Sequence, residues 1–175
     1  MRASLKDKIR KIKLLILDVD GIMTNGEIVL DENGEELKIF DVQDGFGIVL
    51  FQRAGYKTAI LSARSTGSVT ARAKDLKINK ICQNACPKIK VYKKLIRELE
   101  IKDDQVCFMG DDLPDIEVLK TVGFSVTVPN AVDEIKEIVD YITKNEGGRG
   151  AIREIVEIIL KAQNKWSIIM NSYGA

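Results

Sequence analysis

Residues 14–21 constrain the fold of this chain more than any other segment. Four apolar residues, Leu14–Leu17, run directly into Asp18-Val19-Asp20-Gly21, and such a run is typical of a short strand buried on both faces of a sheet. Residues two apart in an extended segment point to the same side, roughly 6–7 Å apart. Asp18 and Asp20 are therefore predicted to project together from the strand end, where open α/β sheets bind ligands. This indicates a metal site or an acid–base pair; a solvated turn is the alternative.

The rest of the chain alternates between predicted strands and helices. Such alternation predicts βαβ units and a mostly parallel sheet with right-handed crossovers. With 175 residues, the chain is expected to form one α/β domain, 1–175, with a core that needs no disulfides. After a helical lead-in at 5–13, strands are predicted at 57–61, 80–82, 105–109, 124–128 and 141–142, and helices at 45–54, 65–76, 89–99, 113–121, 132–138 and 151–163.

Two segments depart from this alternation. Residues 26–40 hold two β-rich runs around Asn33-Gly34, the strongest short-range signal for a β-hairpin with a type I′ turn. An isolated hairpin is marginally stable in water, so we expect its apolar residues to pack on a neighbouring subunit. The C-terminal tail, 164–175, keeps Trp166, Ile168, Ile169 and Met170, which we expect to dock on a surface; fraying is the alternative.

Composition excludes several classes of function. There are 27 basic and 26 acidic residues, so no global field favours nucleic acid or an acidic membrane as a partner. The sequence shows neither an apolar run long enough for a membrane span nor a signal-peptide core, and we expect a cytoplasmic protein. It has no histidine, which removes Ser-His and Cys-His mechanisms. Cys82, Cys86 and Cys107 are expected to be buried structural thiols.

Polar residues of the kind that a phosphate site needs follow other predicted elements. The strand 57–61 runs into Ser62-Ala63-Arg64, Lys88 opens a helix after Pro87, and the strand 105–109 runs into the segment 110–115, GDDLPD. Each has a local alternative: a helix N-cap for the serine, a surface position for the lysine, and a capping cluster for the three aspartates. Together with Asp18 and Asp20, however, these make four groups that are predicted to fall at one edge of one parallel sheet.

The charges of these residues predict a metal-dependent phosphoryl transfer. Asp18, Asp20 and Asp111 would place three negative charges in one crevice and raise each other's pKa. Mg²⁺, which takes one or two carboxylates, several waters and a substrate phosphate, fits this ligand set. With Lys88 and Arg64 added, a dianionic phosphate brings the site near neutrality if one carboxyl group carries a proton. That proton defines a general acid.

The predicted roles follow from this arrangement. Asp18 attacks phosphorus and forms an aspartyl-phosphate. Asp20 protonates the leaving alkoxide and then deprotonates the incoming water. The remaining site residues are assigned in turn: Ser62 donates to a phosphoryl oxygen, Lys88 neutralises developing charge, Asp111 holds the metal, and Asp112 and Asp115 orient the waters of the metal.

These motifs resemble a known superfamily. DVDG at 18–21, the strand ending in Ser62, Lys88 and GDDLPD are similar, in the same order, to the four motifs of haloacid dehalogenase-type phosphatases. Within that superfamily, DVDGIMTNG, NGEELKIF, DVQDGFGI and GGRGAIRE resemble the 3-deoxy-D-manno-octulosonate (KDO) 8-phosphate phosphatase family. The resemblance implies a capless Rossmann-like domain with helices on both faces of the sheet. It also implies Mg²⁺ dependence and dephosphorylation of an eight-carbon sugar acid made for lipopolysaccharide.

The resemblance further implies a homotetramer in which the 26–40 hairpins associate and neighbouring chains close each other's active sites. It assigns the metal to Asp18, the backbone carbonyl of Asp20, and Asp111. It assigns substrate contacts to Asp20, Asp41, Val42, Gln43, Asp44, Gly45, Arg64, Arg72, Lys88 and Arg149. For Arg72 a solvated helix face is the alternative, and for Asp44 a helix N-cap.

Three positions depart from the family pattern. Ala63 stands where the second motif usually has glycine, Asn84 stands where glycine is common, and Gln43 stands where the family often has arginine. Losing an arginine at position 43 removes one anion contact and leaves the choice of sugar acid open. The alternatives are a phosphatase for a nine-carbon sugar acid 9-phosphate, a phosphoacceptor signalling domain, and a non-catalytic domain on the same fold. The signalling domain has no use for Asp20, and the complete motif set disfavours the non-catalytic one.

Overall fold

The computed structural model describes residues 4–174. Within it, six strands form one sheet whose neighbours all pair in parallel, in the order β5-β4-β1-β6-β7-β8. The mostly parallel α/β sheet predicted from the sequence is confirmed. The strands are β1 (Leu14–Leu17), β4 (Lys57–Leu61), β5 (Lys80–Cys82), β6 (Val106–Met109), β7 (Phe124–Thr127) and β8 (Tyr141–Ile142), and the two strands β2 (Val29–Leu30) and β3 (Glu36–Leu37) pair separately.

The helices form two layers. The chain moves from β1 outward to β4 and β5, then crosses back to β6 and on to β7 and β8. Because right-handed crossovers in opposite directions place their helices on opposite faces, both faces of the sheet are covered. The helices are α1 (Leu5–Arg10), α2 (Val42–Arg53), α3 (Gly67–Asp75), α4 (Lys88–Leu99), α5 (Ile116–Leu119), α6 (Asp133–Lys136), α7 (Ala151–Ala162) and α8 (Trp166–Ser172), with 3₁₀ turns at Asp103–Gln105 and Leu113–Asp115.

The two central strands, β1 and β6, lie at the point where the strand order reverses. Every residue of both strands is fully buried, as expected for strands that are covered on both faces. They run in register, with Leu17 opposite Met109, so their carboxyl ends meet at the same height. In a doubly wound sheet this switch point is where ligands bind. The fold therefore places Asp18 and Asp111, which follow these strands, side by side.

The helix α2 begins three residues before its predicted start. The Asp41 side chain accepts hydrogen bonds from the backbone N–H groups of Gln43 and Asp44, so Asp41 is the N-cap. The buried Asp44 carboxylate instead accepts from the N–H groups of Gly150 and Arg153 at the start of α7. Asp44 thus joins the first turn of α2 to the first turn of α7, and it does not cap its own helix.

The 26–40 hairpin is present, but its turn differs from the predicted type I′. A type I′ turn needs positive φ at both central residues, whereas Gly34 (φ 79°) is left-handed and Asn33 is not among the residues with positive φ. The Asp31 carboxylate accepts from the N–H groups of Asn33 and Glu35, and the Gly34 N–H donates to the Asp31 carbonyl. These bonds favour a type I turn followed by a left-handed glycine, because Asp31 satisfies the loop amides.

The tail is more ordered than its sequence predicts. Residues Trp166–Ser172 form α8, which packs on its own chain: Tyr173 makes an edge contact with Phe46 of α2, and Arg153 of α7 lies over the Trp166 ring. The expectation that the tail docks is therefore met, by an intramolecular surface; Ala175 and residues 1–3 lie outside the described residues. The prediction of three buried thiols is correct for Cys107 but wrong for Cys86, which is exposed, while Cys82 is half-buried.

Candidate active site

A cavity of about 260 Å³ opens at the carboxyl ends of β1, β4 and β6. Its lining brings together eight residues that the sequence predicted for one site: Asp18, Asp20, Ser62, Arg64, Lys88, Asp111, Asp112 and Asp115. They converge because each follows a strand or opens a helix at the same edge of the sheet.

The turn after β1 sets the distance between the first two aspartates. The Val19 carbonyl accepts from the N–H groups of Ile22, Met23 and Thr24, so the chain turns at once and Asp20 is not in the extended backbone assumed from the sequence. Gly21 has φ 82°, and a Cβ there would lie 2.0 Å from the Asp111 carboxylate. Glycine is therefore required at this position both by its backbone conformation and by the close approach of Asp111.

A buried lysine bridges two of the carboxylates. The Lys88 ammonium lies 2.9 Å from Asp18 Oδ1 and 2.6 Å from Asp115 Oδ1, and all three residues are buried. Burial by itself lowers the pKa of the lysine, but the charges of Asp18 and Asp115 outweigh it and raise that pKa above its usual value. Lys88 is therefore a fixed positive charge beside Asp18.

The acidic residues of the cavity favour a cation. Carboxylate oxygens of Asp18, Asp111 and Asp115 lie within 4.8 Å of one another. Burial first, and the charge of Asp115 next, raise the pKa of Asp18 to about 7; burial first, with the charges of Asp18 and Asp115, raises the pKa of Asp111 to about 8. Asp111 Oδ1 is buried and has no hydrogen-bond partner within residues 4–174. A hard divalent cation could be coordinated by this oxygen, and its charge would relieve the repulsion between the carboxylates of Asp18, Asp111 and Asp115.

Asp115 has a more structural position than the sequence indicated. Its Oδ1 holds Lys88, and its Oδ2 accepts from the N–H groups of Asp111 and Asp112, at 3.1 and 3.3 Å. Both oxygens are therefore occupied by the protein. Asp115 anchors the loop that carries Asp111, and its expected action on metal-bound waters stays a prediction.

Two charged residues of the hairpin also reach the site, and sequence reasoning missed them. Lys38 pairs with Asp20 and with Glu36, and Glu36 pairs with Arg64. The signal was present in NGEELKIF, where charged and apolar residues alternate. Such alternation gives the segment a charged side as well as an apolar side, and the charged side is the one that reaches the site.

The other predicted substrate contacts do not line the Asp18 cavity. Asp41, Val42 and Arg149 line a separate depression of about 340 Å³ beside the hairpin. Asp44, Gly45 and Arg72 lie together beneath Phe40; Arg72 pairs with Asp75 and donates to the Asp41 carbonyl, which makes it a packed residue and not a solvated one. Gln43 is exposed.

The GGRG segment has a clear structural role. A Cβ at Gly147 would lie 1.7 Å from the Gly21 carbonyl oxygen, so this loop packs directly on the turn after β1. Asn130 joins the two, donating to the Gly21 carbonyl and accepting from the Gly147 N–H. The glycines therefore support the turn after β1, while Arg149 lines the neighbouring depression.

The families that this chain matches are phosphatases and related hydrolases, in agreement with the arrangement of acidic and basic residues in the cavity. Residues 60–155 match the model of the haloacid dehalogenase-like hydrolase family. The chain is 40% identical over 158 residues to the KDO 8-phosphate phosphatase of Escherichia coli K12, covering 90% of this chain and 84% of that protein. The chain belongs to the KDO 8-phosphate phosphatase family.

Solved structures of this phosphatase family share the fold. The KDO 8-phosphate phosphatase of Moraxella catarrhalis, crystallised with a magnesium ion, a phosphate ion and KDO, superimposes with a TM-score of 0.94 at 38% identity, covering 97% of each chain. The cobalt-bound phosphatase of Haemophilus influenzae gives a TM-score of 0.89 at 35% identity, covering 92% of this chain and 94% of that one. At these identities the likeness extends beyond the fold to the family.

Proposed function

We propose that this protein is an Mg²⁺-dependent phosphatase that hydrolyses KDO 8-phosphate to KDO and inorganic phosphate through an aspartyl-phosphate. The observation that carries the proposal is Asp18 at the switch point of the sheet, held by Lys88 and facing Asp111. This arrangement provides a nucleophile, a positive charge and a cation site within one small cavity. Its occurrence in a member of the KDO 8-phosphate phosphatase family defines the substrate class.

The first half of the reaction uses the two aspartates after β1. Lys88 holds Oδ1 of Asp18, and an oxygen of this carboxylate forms a bond to phosphorus while the bond from phosphorus to the sugar oxygen breaks. Asp20 gives its proton to that sugar oxygen, and the sugar leaves as the neutral alcohol. Ser62, buried in the cavity lining, donates to a phosphoryl oxygen.

The second half returns the enzyme to its starting state. Asp20 takes a proton from water, the water oxygen bonds to phosphorus, and the bond from phosphorus to Asp18 breaks. Inorganic phosphate leaves, and Asp20 is protonated again. A bound Mg²⁺, held by Asp18, Asp111 and the backbone carbonyl of Asp20, would supply positive charge to the phosphoryl oxygens and the carboxylates. Lys88 and Arg64 would add the charge that a dianionic phosphate still needs.

The sugar-acid contacts are proposed to require a second chain. Asp41, Val42 and Arg149 lie in a depression separate from the Asp18 cavity, so one chain presents them as a second surface. We propose a homotetramer in which the 26–40 hairpins associate and each chain adds such residues to its neighbour's site. The exposed apolar side chains of the hairpin support this: Ile28, Leu30, Leu37 and Ile39 are each more than half exposed.

The proposed substrate and the free cysteines indicate where in the cell the protein acts. Among residues 4–174, none of the helices has the length and apolar character to span a bilayer. Cys82, Cys86 and Cys107 are free thiols, which is usual in a reducing compartment. We propose that the protein acts in the cytoplasm, on a small sugar-acid phosphate made for lipopolysaccharide.

The proposal is tested by trapping the covalent intermediate. Enzyme, Mg²⁺ and KDO 8-phosphate are mixed for milliseconds and quenched in acid, and peptides are analysed by mass spectrometry. Phosphate on the peptide that contains Asp18 is the expected result, and D18N is the control that must lack it. Rapid turnover without a phosphorylated Asp18 would contradict the mechanism.

A further inference from the structure

The hairpin segment 36–39, made of β3 and the two residues that follow it, has a reversed pattern of burial. The Lys38 side chain is 2% exposed and that of Glu36 is 12% exposed, whereas the intervening Leu37 and the following Ile39 are 51% and 72% exposed. Side chains alternate between the two sides of a strand, so the charged side of this strand faces the protein and the apolar side faces outward. A strand that was only packed on its own domain would have the opposite pattern.

The inward side forms a closed ring of alternating charges with the active site. Lys38 Nζ hydrogen-bonds Asp20 Oδ1 and lies 2.6 Å from Glu36 Oε1. Glu36 Oε2 is 2.7 Å from Arg64 Nη2, and Arg64 Nε lies 3.8 Å from Asp20 Oδ2. Ser68 Oγ of α3 donates to the Glu36 carbonyl, which fixes the strand beside the cavity.

Stability alone is a weak reason for this ring, because Arg64 and Asp20 keep 45% and 27% of their side chains exposed, and exposed ion pairs contribute little to stability. Burying an ion pair costs desolvation, and replacing such a pair by apolar residues is often neutral or stabilising. The hairpin has apolar residues available for that purpose, and it turns them outward. The inward charges are therefore better explained by what they do to Asp20.

Lys38 hydrogen-bonds one oxygen of Asp20, and the other makes only a longer contact, 3.8 Å, with Arg64 Nε. Lys38 bonds Oδ1, and no group within residues 4–174 donates a hydrogen bond to Oδ2, which lies on the side of Arg64. Asp20 and Arg64 line the cavity, and Lys38 does not. The lysine thus holds the carboxyl group from behind, with Oδ2 as the oxygen available to a substrate.

We propose that Lys38 is a positioning residue that holds the Asp20 carboxyl group with Oδ2 directed into the cavity, and that Glu36 holds Lys38 and Arg64 in place for this purpose. The inference rests on the proposed function, in which Asp20 gives a proton to the leaving sugar oxygen. It adds a residue from the hairpin to a site otherwise built at the edge of the sheet.

The test compares two leaving groups. KDO 8-phosphate has an alkyl leaving group that needs a proton, whereas 4-nitrophenyl phosphate has an aryl leaving group that departs without one. The quantity measured is kcat/KM, which reports the steps up to departure of the leaving group. The enzyme is the full chain with Mg²⁺, and the variants are K38M, K38R, D20N and the matched control E35Q, at an exposed position of the same hairpin.

If Lys38 acts through Asp20, its removal should lower kcat/KM mainly for the substrate with the alkyl leaving group. K38M should lower kcat/KM for KDO 8-phosphate about tenfold or more and that for 4-nitrophenyl phosphate less than about threefold, because general acid catalysis matters only for the poor leaving group. K38R should recover part of the loss, and E35Q should match the parent enzyme. The double variant E36Q/K38M removes both charges together and gives the same contrast if K38M fails to fold.

Equal losses on both substrates, or no loss on either, would overturn the proposal. D20N separates this failure from failure of the proposed function. If D20N shows the contrast between substrates and K38M does not, Asp20 is the acid and Lys38 does not position it. If D20N shows no contrast, or the parent enzyme hydrolyses neither substrate, the proposed mechanism itself is wrong and the role of Lys38 falls with it.

Discussion

Two buried lysines in this molecule each bridge a pair of carboxylates, and they come from regions built in different ways. Lys88, at the start of α4, joins Asp18 and Asp115 at the edge of a sheet whose central strands are fully buried. Lys38 joins Asp20 and Glu36 from a hairpin whose paired strands are two residues long. At the sheet edge the side chains are positioned by the buried core, whereas in the hairpin they are positioned by ion pairs.

The two regions can therefore be altered independently of each other. Residues that follow buried strands are positioned by the whole sheet, so a substitution there changes chemistry and leaves the fold intact. Residues of the hairpin are positioned by a few charged contacts, and its outward apolar side chains are more than half exposed. A change in the hairpin is therefore expected to alter positioning and association more than the chemical step itself.

The largest effect is expected at the edge of the sheet. D18N removes the proposed nucleophile, and kcat should fall by about 10³-fold or more because no covalent intermediate can form. The melting temperature should stay equal or rise, since one of the crowded negative charges is lost. Phosphate release and thermal melting measure the two quantities, and normal turnover by D18N would contradict the assignment.

Substituting the two buried lysines one at a time compares the contribution of the sheet edge to catalysis with that of the hairpin. K88M should lower kcat/KM for KDO 8-phosphate about 10²-fold or more, as removal of a charge aimed at the transition state does, and this loss should exceed that of K38M on the same substrate. K94M, at an exposed lysine on the same helix, is the matched control. A larger loss in K38M than in K88M would show that the hairpin, and not the sheet edge, dominates catalysis.

Association should depend on the hairpin alone. In the double variant L37E/I39E, charges replace two outward apolar side chains, and burying these charges between subunits is unfavourable. Light scattering should show the mass falling from that of a tetramer toward that of smaller species, with L5E, a change at an exposed leucine outside the hairpin, retaining the parent mass. A tetramer that persists in L37E/I39E would place the interface elsewhere.

Metal binding at the edge of the sheet should depend on pH. In the metal-free protein the pKa values of Asp18 and Asp111 are about 7 and about 8, above the 3.8 of an unfolded aspartate. The folded state therefore holds more protons than the unfolded state in this window, and its stability falls as pH rises. Mg²⁺ needs the deprotonated carboxylates, so its affinity should increase by up to about tenfold per pH unit for each proton displaced.

The measurement is thermal melting with and without Mg²⁺ from about pH 6 to about pH 8, the window in which these carboxylates titrate. The stabilisation by Mg²⁺ should widen as pH rises. D111N, which lacks one titrating ligand, should show a smaller shift with a weaker pH dependence. A shift by Mg²⁺ that is independent of pH would contradict the assignment of these carboxylates as ligands.

The smallest effect is expected from the tail. Deletion after Gln163 removes α8 and uncovers its contacts with Phe46 and Arg153, which should cost about 1–3 kcal/mol of unfolding free energy from lost apolar burial. We also expect a change in substrate affinity or product release. Denaturant unfolding and steady-state kinetics measure both, and unchanged KM and kcat would exclude a kinetic role for the tail.

The residues at the edge of the sheet could be predicted from the sequence, because each strand is specified by a local apolar run and the parallel topology then brings the strand ends together. A continuous apolar run predicts a buried strand, and parallel strands bring their ends together whatever the loops do. Asp18, Ser62, Lys88 and Asp111 were found in this way. The turn after β1 was not, because the sequence does not give the hydrogen bonds that Val19 accepts from the three residues that follow.

The hairpin and the start of α2 were harder for a physical reason. An alternating pattern of charged and apolar residues does not say which side faces the protein, and here the usual choice is reversed. For Asp44 the local pattern allows a cap for its own helix, but its carboxylate accepts from the first turn of α7, more than 100 positions away in the chain; its contact with substrate stays a prediction. Contacts of this kind depend on tertiary packing, which a local pattern does not contain.

The most direct test of the account is phosphate release from a panel of sugar phosphates with and without Mg²⁺. The panel contains KDO 8-phosphate, a nine-carbon sugar acid 9-phosphate and neutral hexose phosphates. The account predicts a large, Mg²⁺-dependent preference for KDO 8-phosphate despite Gln43 and Ala63. Turnover without a divalent cation, or equal rates on acidic and neutral sugars, would contradict it.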